Sequence, residues 1–106
     1  MQTQVSILHH DYPTRVRDEV EQRLQGLAKY YERIVVSRAL LERQNEDHRV
    51  EIVCSVGHGA VLVVDSRENA FSQALDEAFH RMQQLLRRHR EKHVDLRRRR
   101  GRDGKG

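Results

Sequence analysis

Apolar residues in this chain recur with two different periods. Val16, Val20, Leu24, Leu27 and Tyr31 follow one another at steps of four, four, three and four. Phe71, Leu75, Ala78, Met82, Leu85, Leu86 and His89 do the same at steps dominated by three and four. Both runs have the spacing of a helix with one face turned toward a core. Elsewhere the period is two. Val5 and Ile7 alternate with Gln4 and Ser6, and Val50, Ile52, Cys54 and Val56 alternate with Glu51, Val53 and Ser55. Alternation of this kind marks half-buried strands, here Gln2 to Leu8 and a strand centred on Ile52. Ile34 to Arg43 and Ala60 to Asp65 are rich in Val, Ile and Leu and read as two further strands.

The residues between these runs behave as punctuation. Pro13 suits the first turn of the first helix, where its missing N–H costs nothing. Asp11 is the better capping candidate and Thr14 the other. That helix is expected to extend about 17 to 19 residues toward Tyr30 and Tyr31, with Gly26 weakening it by roughly 1 kcal/mol relative to Ala. Gln44 to Asp47 is a polar turn, and Gly57-His58-Gly59 supplies a tight hairpin. Ser66 or Asn69 caps the second helix, expected over Asn69 to about Leu96. The order β-α-β-β-β-α predicts a two-layer α+β domain over residues 1–96. It pairs a four-stranded sheet with two helices packed on one face, similar to double-stranded-RNA-binding domains. Residues 97–106 hold no apolar side chain and are expected to form a basic, disordered tail.

Composition agrees with one small domain. The chain has 106 residues, 37% hydrophobic and 34% charged, with no Trp, enough for one modest core. No apolar run approaches the roughly 20 residues of a membrane span. The stretch from Met1 to His10 lacks a basic segment followed by a long apolar one, so no signal peptide is expected and the setting is cytoplasmic. The net charge of +4 is unevenly spread. Residues 80–106 carry a balance of +8 and residues 1–79 a balance of −4. A basic segment on a neutral-to-acidic body is the footprint of a phosphate-binding protein.

Little in the chain supports catalysis. Cys54 has His48 and His58 near in sequence, but the alternation turns its thiol inward as a core residue. His89 and His93 stand at i and i+4, where two imidazoles can meet one ion, yet no third ligand follows at a recognisable spacing. Asp18, Glu19 and Glu21, like Asp76 and Glu77, lie early in their helices, where the macrodipole favours negative charge. Two glycines around His58 make no phosphate-cradling loop. The expectation is a binding protein and not an enzyme, with no metal and no cofactor.

The basic residues are the informative feature. Arg81, Arg88 and Lys92 fall within about 20° of one line at 100° per residue, along the edge of the apolar stripe. Arg23 borders one edge of the first helix's apolar face and Arg17 the other. With both helices on one face of the sheet, the groove between them is expected to be lined with guanidinium groups. Arg forks match phosphate oxygens in pairs. Only Tyr12 and Tyr30 offer rings for stacking on bases, which favours a folded RNA recognised by shape and charge. The alternatives are a charged face that only solubilises and a binder of any structured RNA.

A family resemblance sharpens this reading. Thr14-Arg15-Val16-Arg17-Asp18, Arg23-Leu24 and Leu27-Ala28-Lys29-Tyr30-Tyr31-Glu32-Arg33-Ile34 resemble the first helix of the ribosome hibernation promoting factors. That family includes the ribosome-associated inhibitor A and the sigma-54 modulation proteins. The glycine hairpin, Ala74-Leu75-Asp76, Met82 and Leu86-Arg87-Arg88-His89-Arg90-Glu91-Lys92 resemble the remainder, over about residues 1–95. The resemblance implies a stress or stationary-phase factor that binds the small ribosomal subunit and the whole ribosome. There it would occupy the mRNA and tRNA channel near the decoding centre, contact rRNA through both helices and silence translation without chemistry. Arg17, Arg23, Arg81, Arg88, Arg90 and Lys92 match basic positions of the family and are the implied rRNA contacts. The chain departs from the pattern at Pro13, at Gly26, at Ala70-Phe71-Ser72 and along Val61 to Val64. It resembles the short form of the family, and the second, dimerising domain of long members is not expected.

Overall fold

The computed structural model describes residues 1–103, with side chains through His93. Its elements, in chain order, are β1 (Gln2–Leu8), α1 (Thr14–Gly26), a 3-10 turn (Leu27–Lys29), β2 (Ile34–Gln44), β3 (Asp47–Val56), a second 3-10 turn (Gly57–Gly59), β4 (Val61–Glu68) and α2 (Phe71–Asp103). The four strands form one sheet in the order β1-β2-β3-β4. β1 and β2 run parallel, which requires a crossover, and α1 supplies it. The two remaining pairs are antiparallel hairpins. Asn45, at φ 57°, occupies the left-handed position of the β2–β3 turn, a conformation that Asn tolerates.

Register places the alternating residues as the period predicts. Leu41, Ala39 and Ser37 oppose Val50, Ile52 and Cys54, which oppose Ser66, Val64 and Leu62. This face lies under the helices, α1 over β1 and β2, α2 over β3 and β4. Val20, Leu24, Leu27 and Tyr31 from the α1 segment and Leu75, Ala78, Met82 and Leu86 from α2 complete the core. Ala74 and Phe79 are also buried, widening the α2 stripe beyond its expected width. Phe79 turns toward α1, so α2 is covered from two sides, by the sheet and by the neighbouring helix.

Four local expectations change. The first helix ends at Gly26 and tightens into a 3-10 turn, a common way to close a last turn, so it is shorter than the period implied. Pro13 is itself the N-cap, and neither Asp11 nor Thr14 makes a capping bond; the Pro13 carbonyl accepts from the Val16 N–H at 2.9 Å. Ser66 is no cap either, since it lies inside β4, buried, with its hydroxyl donating to Glu77 Oε2 at 3.1 Å. The bounds of α2 pass the expected end near Leu96, and the expected tail at 97–106 lies outside the residues whose side chains are described.

Gly26 has ordinary helical angles (φ −63°) and nothing within 4 Å of where a Cβ would stand. Replacing it removes freedom from the unfolded chain without a clash. Gly26→Ala is expected to raise stability by about 0.5–1 kcal/mol, read from the midpoint of urea unfolding.

Candidate nucleic-acid interface

A cleft of about 280 Å³ runs between the helices, lined by Glu19, Arg23, Lys29 and Tyr30 on one side and Phe79 and Gln83 on the other. Arg23 bridges it. Its Nη1 donates to Asp76 Oδ1 at 2.8 Å, and its guanidinium lies 4.5 Å from the centre of the Phe79 ring. Arg23 therefore ties α1 to α2 and is already paired.

The groove is not the guanidinium-lined channel expected. Arg17 Nη1 donates to the Val5 carbonyl at 3.0 Å, which places it on the β1 side of α1, away from α2. Arg81 Nη1 donates to the Asp65 carbonyl at 2.9 Å and lies 3.7 Å from Glu77, on the β4 side of α2. The reason is angular. Asp76, Phe79 and Gln83 meet α1 from one flank of the apolar stripe, and at about 100° per residue Arg81, Arg88 and Lys92 fall on the other.

Arg88, Arg90 and Lys92 are exposed and have no hydrogen-bond or ion-pair partner among the described residues. Arg87, absent from the expected set, joins them: it is exposed and its guanidinium lies 5.0 Å from the centre of the Tyr30 ring. Arg87 and Arg90 lie on the α1 side and Arg88 and Lys92 on the β4 side. Together they span the roughly 200° of helix surface that faces water, with Glu91 near the middle. Lys29 and Arg33 are exposed at the end of the α1 segment. The signal for Arg87 was its place four residues after Gln83, but only the position of α1 shows that this flank meets Tyr30.

Some other charges are locally neutralised. On the open face of the sheet Arg49 Nε and Nη2 hold Asp65 at 2.6–3.1 Å, Nη1 holds Glu42 at 3.1 Å and Nη2 holds Glu51 at 2.9 Å. Gln44 and then Arg49 keep the Glu42 carboxyl below the usual carboxylate range, while Asp65 above all holds the Arg49 guanidinium firmly protonated. A carboxylate held low stabilises the fold above its unfolded pKa, and that contribution is lost as pH falls through the folded value. Arg49→Met is expected to lower the thermal midpoint by roughly 5–10 °C at pH 7, because three carboxylates are left facing one another. Below pH 4 the gap to the wild type should close, as those carboxylates take up protons. Thermal melts from pH 7 to pH 3 check both.

Candidate reactive groups are likewise occupied. Cys54 is buried, its Sγ 3.6 Å from the Ser37 hydroxyl, and burial raises its thiol pKa. Tyr12, one of the two stacking candidates, is committed to packing: its hydroxyl meets His48 Nδ1 at 2.6 Å and its ring lies 4.7 Å from Phe71. Among the described residues no group of three or more His, Cys, Asp or Glu is placed to hold a metal ion. No helix among them is long and apolar enough to cross a membrane.

Residues 3–94 match the family model described as sigma 54 modulation protein / S30EA ribosomal protein. The chain belongs to that family. Two solved structures share the fold of this S30EA-family chain. The N-terminal domain of Thermus thermophilus Protein Y has a TM-score of 0.72 at 22% identity, covering 83% of this chain and 98% of that one. A ribosomal subunit interface protein from Coxiella burnetii has a TM-score of 0.77 at 13% identity, covering 86% of this chain and 99% of that one. No curated protein sequence matches the chain.

Proposed function

We propose that this S30EA-family protein is a ribosome hibernation factor. It binds the small ribosomal subunit near the decoding centre through rRNA and keeps mRNA and tRNA out of their channel under stress, acting in the cytoplasm without chemistry. The observation that carries this reading is the exposed arc of Arg87, Arg88, Arg90 and Lys92 on a fold shared with a subunit interface protein. These cations lack carboxylate partners among the described residues, so they meet phosphate without first breaking an ion pair. On this reading Arg17 and Arg81 touch RNA only from the flanks, and Arg23 holds the two helices in place.

The test is cosedimentation of the purified protein with ribosomes and separated subunits at near-physiological salt, with an unrelated duplex RNA as competitor. Saturable binding to the small subunit that resists the competitor and is displaced by mRNA and tRNA is the expected result. Binding that the duplex strips away would replace the hibernation reading with that of a general structured-RNA binder.

A further inference from the structure

The end of the sheet beside the distal half of α2 gathers imidazoles that the sequence keeps apart. His58, from the turn between β3 and β4, stacks on His93 of α2 with ring centres 4.4 Å apart and planes 24° from parallel. His93 in turn lies 4.1 Å from His89. Arg33, from the segment before β2, brings its Nη1 to 3.3 Å from His58 Nε2. His58 is exposed, His93 is half-buried and His89 Nε2 is buried.

The donors fix the tautomers. A guanidinium can only donate, so His58 Nε2 is an acceptor and its proton sits on Nδ1. A carbonyl can only accept, so His93 Nδ1, 2.9 Å from the His89 carbonyl, carries a proton and Nε2 is the nitrogen left to face a ligand. The groups facing the cluster are Arg33 and Tyr31 before β2, the Gly57 backbone in the turn, and Lys92 on α2. Among the described residues the one approach of an imidazole to a carboxylate within 4.0 Å is His9 to Glu42, at the other end of the sheet. A proton here thus has no acidic partner within 4.0 Å among the described residues. His58 also holds a left-handed backbone (φ 70°) between two glycines, a position glycine would fill with less strain. Gly57 beside it packs closely, since a Cβ there would stand 3.3 Å from the Arg33 side chain.

We propose that Arg33, His58 and His93 form a proton-linked phosphate site that takes one backbone phosphate of the bound RNA. The inference rests on the RNA-binding reading above and extends it to residues off the basic arc. In the free protein Arg33 is tied to neutral His58. When a phosphate arrives, His58 Nε2 and His93 Nε2 take up protons and become donors, and Arg33, repelled by the new imidazolium, turns its fork to the same oxygens. His89 stays neutral beneath them, because burial and then His93 hold its proton affinity down, and its carbonyl fixes the His93 ring. Uptake of a proton on binding means that binding tightens as pH falls, and that the gain is lost above the raised pKa of the bound state.

The experiment follows the imidazole C2–H resonances of the full chain against pH, alone and with excess duplex RNA. In parallel, affinity for the small subunit is measured at pH 6 and pH 8 for the wild type and for the pair His58→Gln/His93→Gln. Expected are a rise of about one pKa unit in His58 and His93 with RNA, and about tenfold tighter wild-type binding at pH 6 for each imidazole so shifted. The double variant should lose that pH dependence. Imidazoles that RNA does not move, or a double variant with the wild-type pH dependence, would overturn the proposal. Imidazoles moved by duplex RNA in a protein that ignores the small subunit would sustain the phosphate site and remove the ribosomal reading alone.

Discussion

Changing Arg87, Arg88, Arg90 and Lys92 together to Gln is expected to weaken binding to the small subunit at least about a hundredfold near physiological salt. The four positions are exposed and, among the described residues, have no partner beyond the Arg87–Tyr30 approach, so their loss removes attraction to phosphate and little else. Each released counterion contributes a slope of roughly 0.9 to the dependence of log affinity on log salt, and the variant's slope should be shallower by about 3 to 4. Stability should change by no more than a few tenths of a kcal/mol per site. The matched control is Arg17→Gln with Arg81→Gln. These side chains spend their donors on the Val5 and Asp65 carbonyls, and their loss should cost less than about fivefold in affinity. Equal losses in the two variants would mean that RNA wraps both flanks of the helix layer and not the distal half of α2.

The contrast between the two variants also shows where the sequence was readable. The period of Leu75, Ala78, Met82 and Leu86 gave the buried face of α2, because burial against a sheet is the strongest constraint a helix feels. The angular relation of Arg81, Arg88 and Lys92 was readable for the same reason. Which flank they occupy was not. That depends on α2 lying over β3 and β4 with α1 to one side, a consequence of the strand order β1-β2-β3-β4. Placing the stripe in the inter-helix groove required that missing fact. Phe79 was not readable either, since it also faces Arg23 of the neighbouring helix, which no period along α2 reports. His58 is the third imidazole near His89 and His93, and only the β3–β4 turn brings it there.

Charge segregation follows from the same arrangement. Four carboxylates of the body are paired locally: Glu42, Glu51 and Asp65 by Arg49, and Asp76 by Arg23. On α1 the outward residues mix Arg15 and Arg17 with Asp18, Glu19 and Glu21, so that helix presents no net positive surface. Arg87, Arg88, Arg90 and Lys92 on α2 have no carboxylate partner among the described residues, and Lys29 and Arg33 stand beside them. A polyanion approaching at an ionic strength that screens beyond about 8 Å would orient on that end.

Phe79→Ala is the substitution expected to cost the most stability. Its ring is 1% exposed, joins the core between α2, the sheet and α1, and carries the Arg23 guanidinium on its outer side. Truncating a buried Phe to Ala costs about 3–5 kcal/mol, a large share of what a domain of this size possesses. A fall of roughly 15–25 °C in the thermal midpoint is expected. Phe79→Leu, which keeps most of the volume, should cost about 1.5 kcal/mol or less. Arg23→Gln removes only a surface ion pair and a cation–π contact, worth about 1 kcal/mol together. The same variants separate the two possible RNA surfaces. If RNA binds the distal arc of α2, Phe79→Ala measured well below its midpoint should retain affinity within about threefold, since Arg87 to Lys92 lie on a helix that the lesion leaves intact. If RNA instead entered the inter-helix cleft, collapse of the cleft floor would abolish binding in a protein still folded by circular dichroism, and the distal-arc assignment would have to be withdrawn.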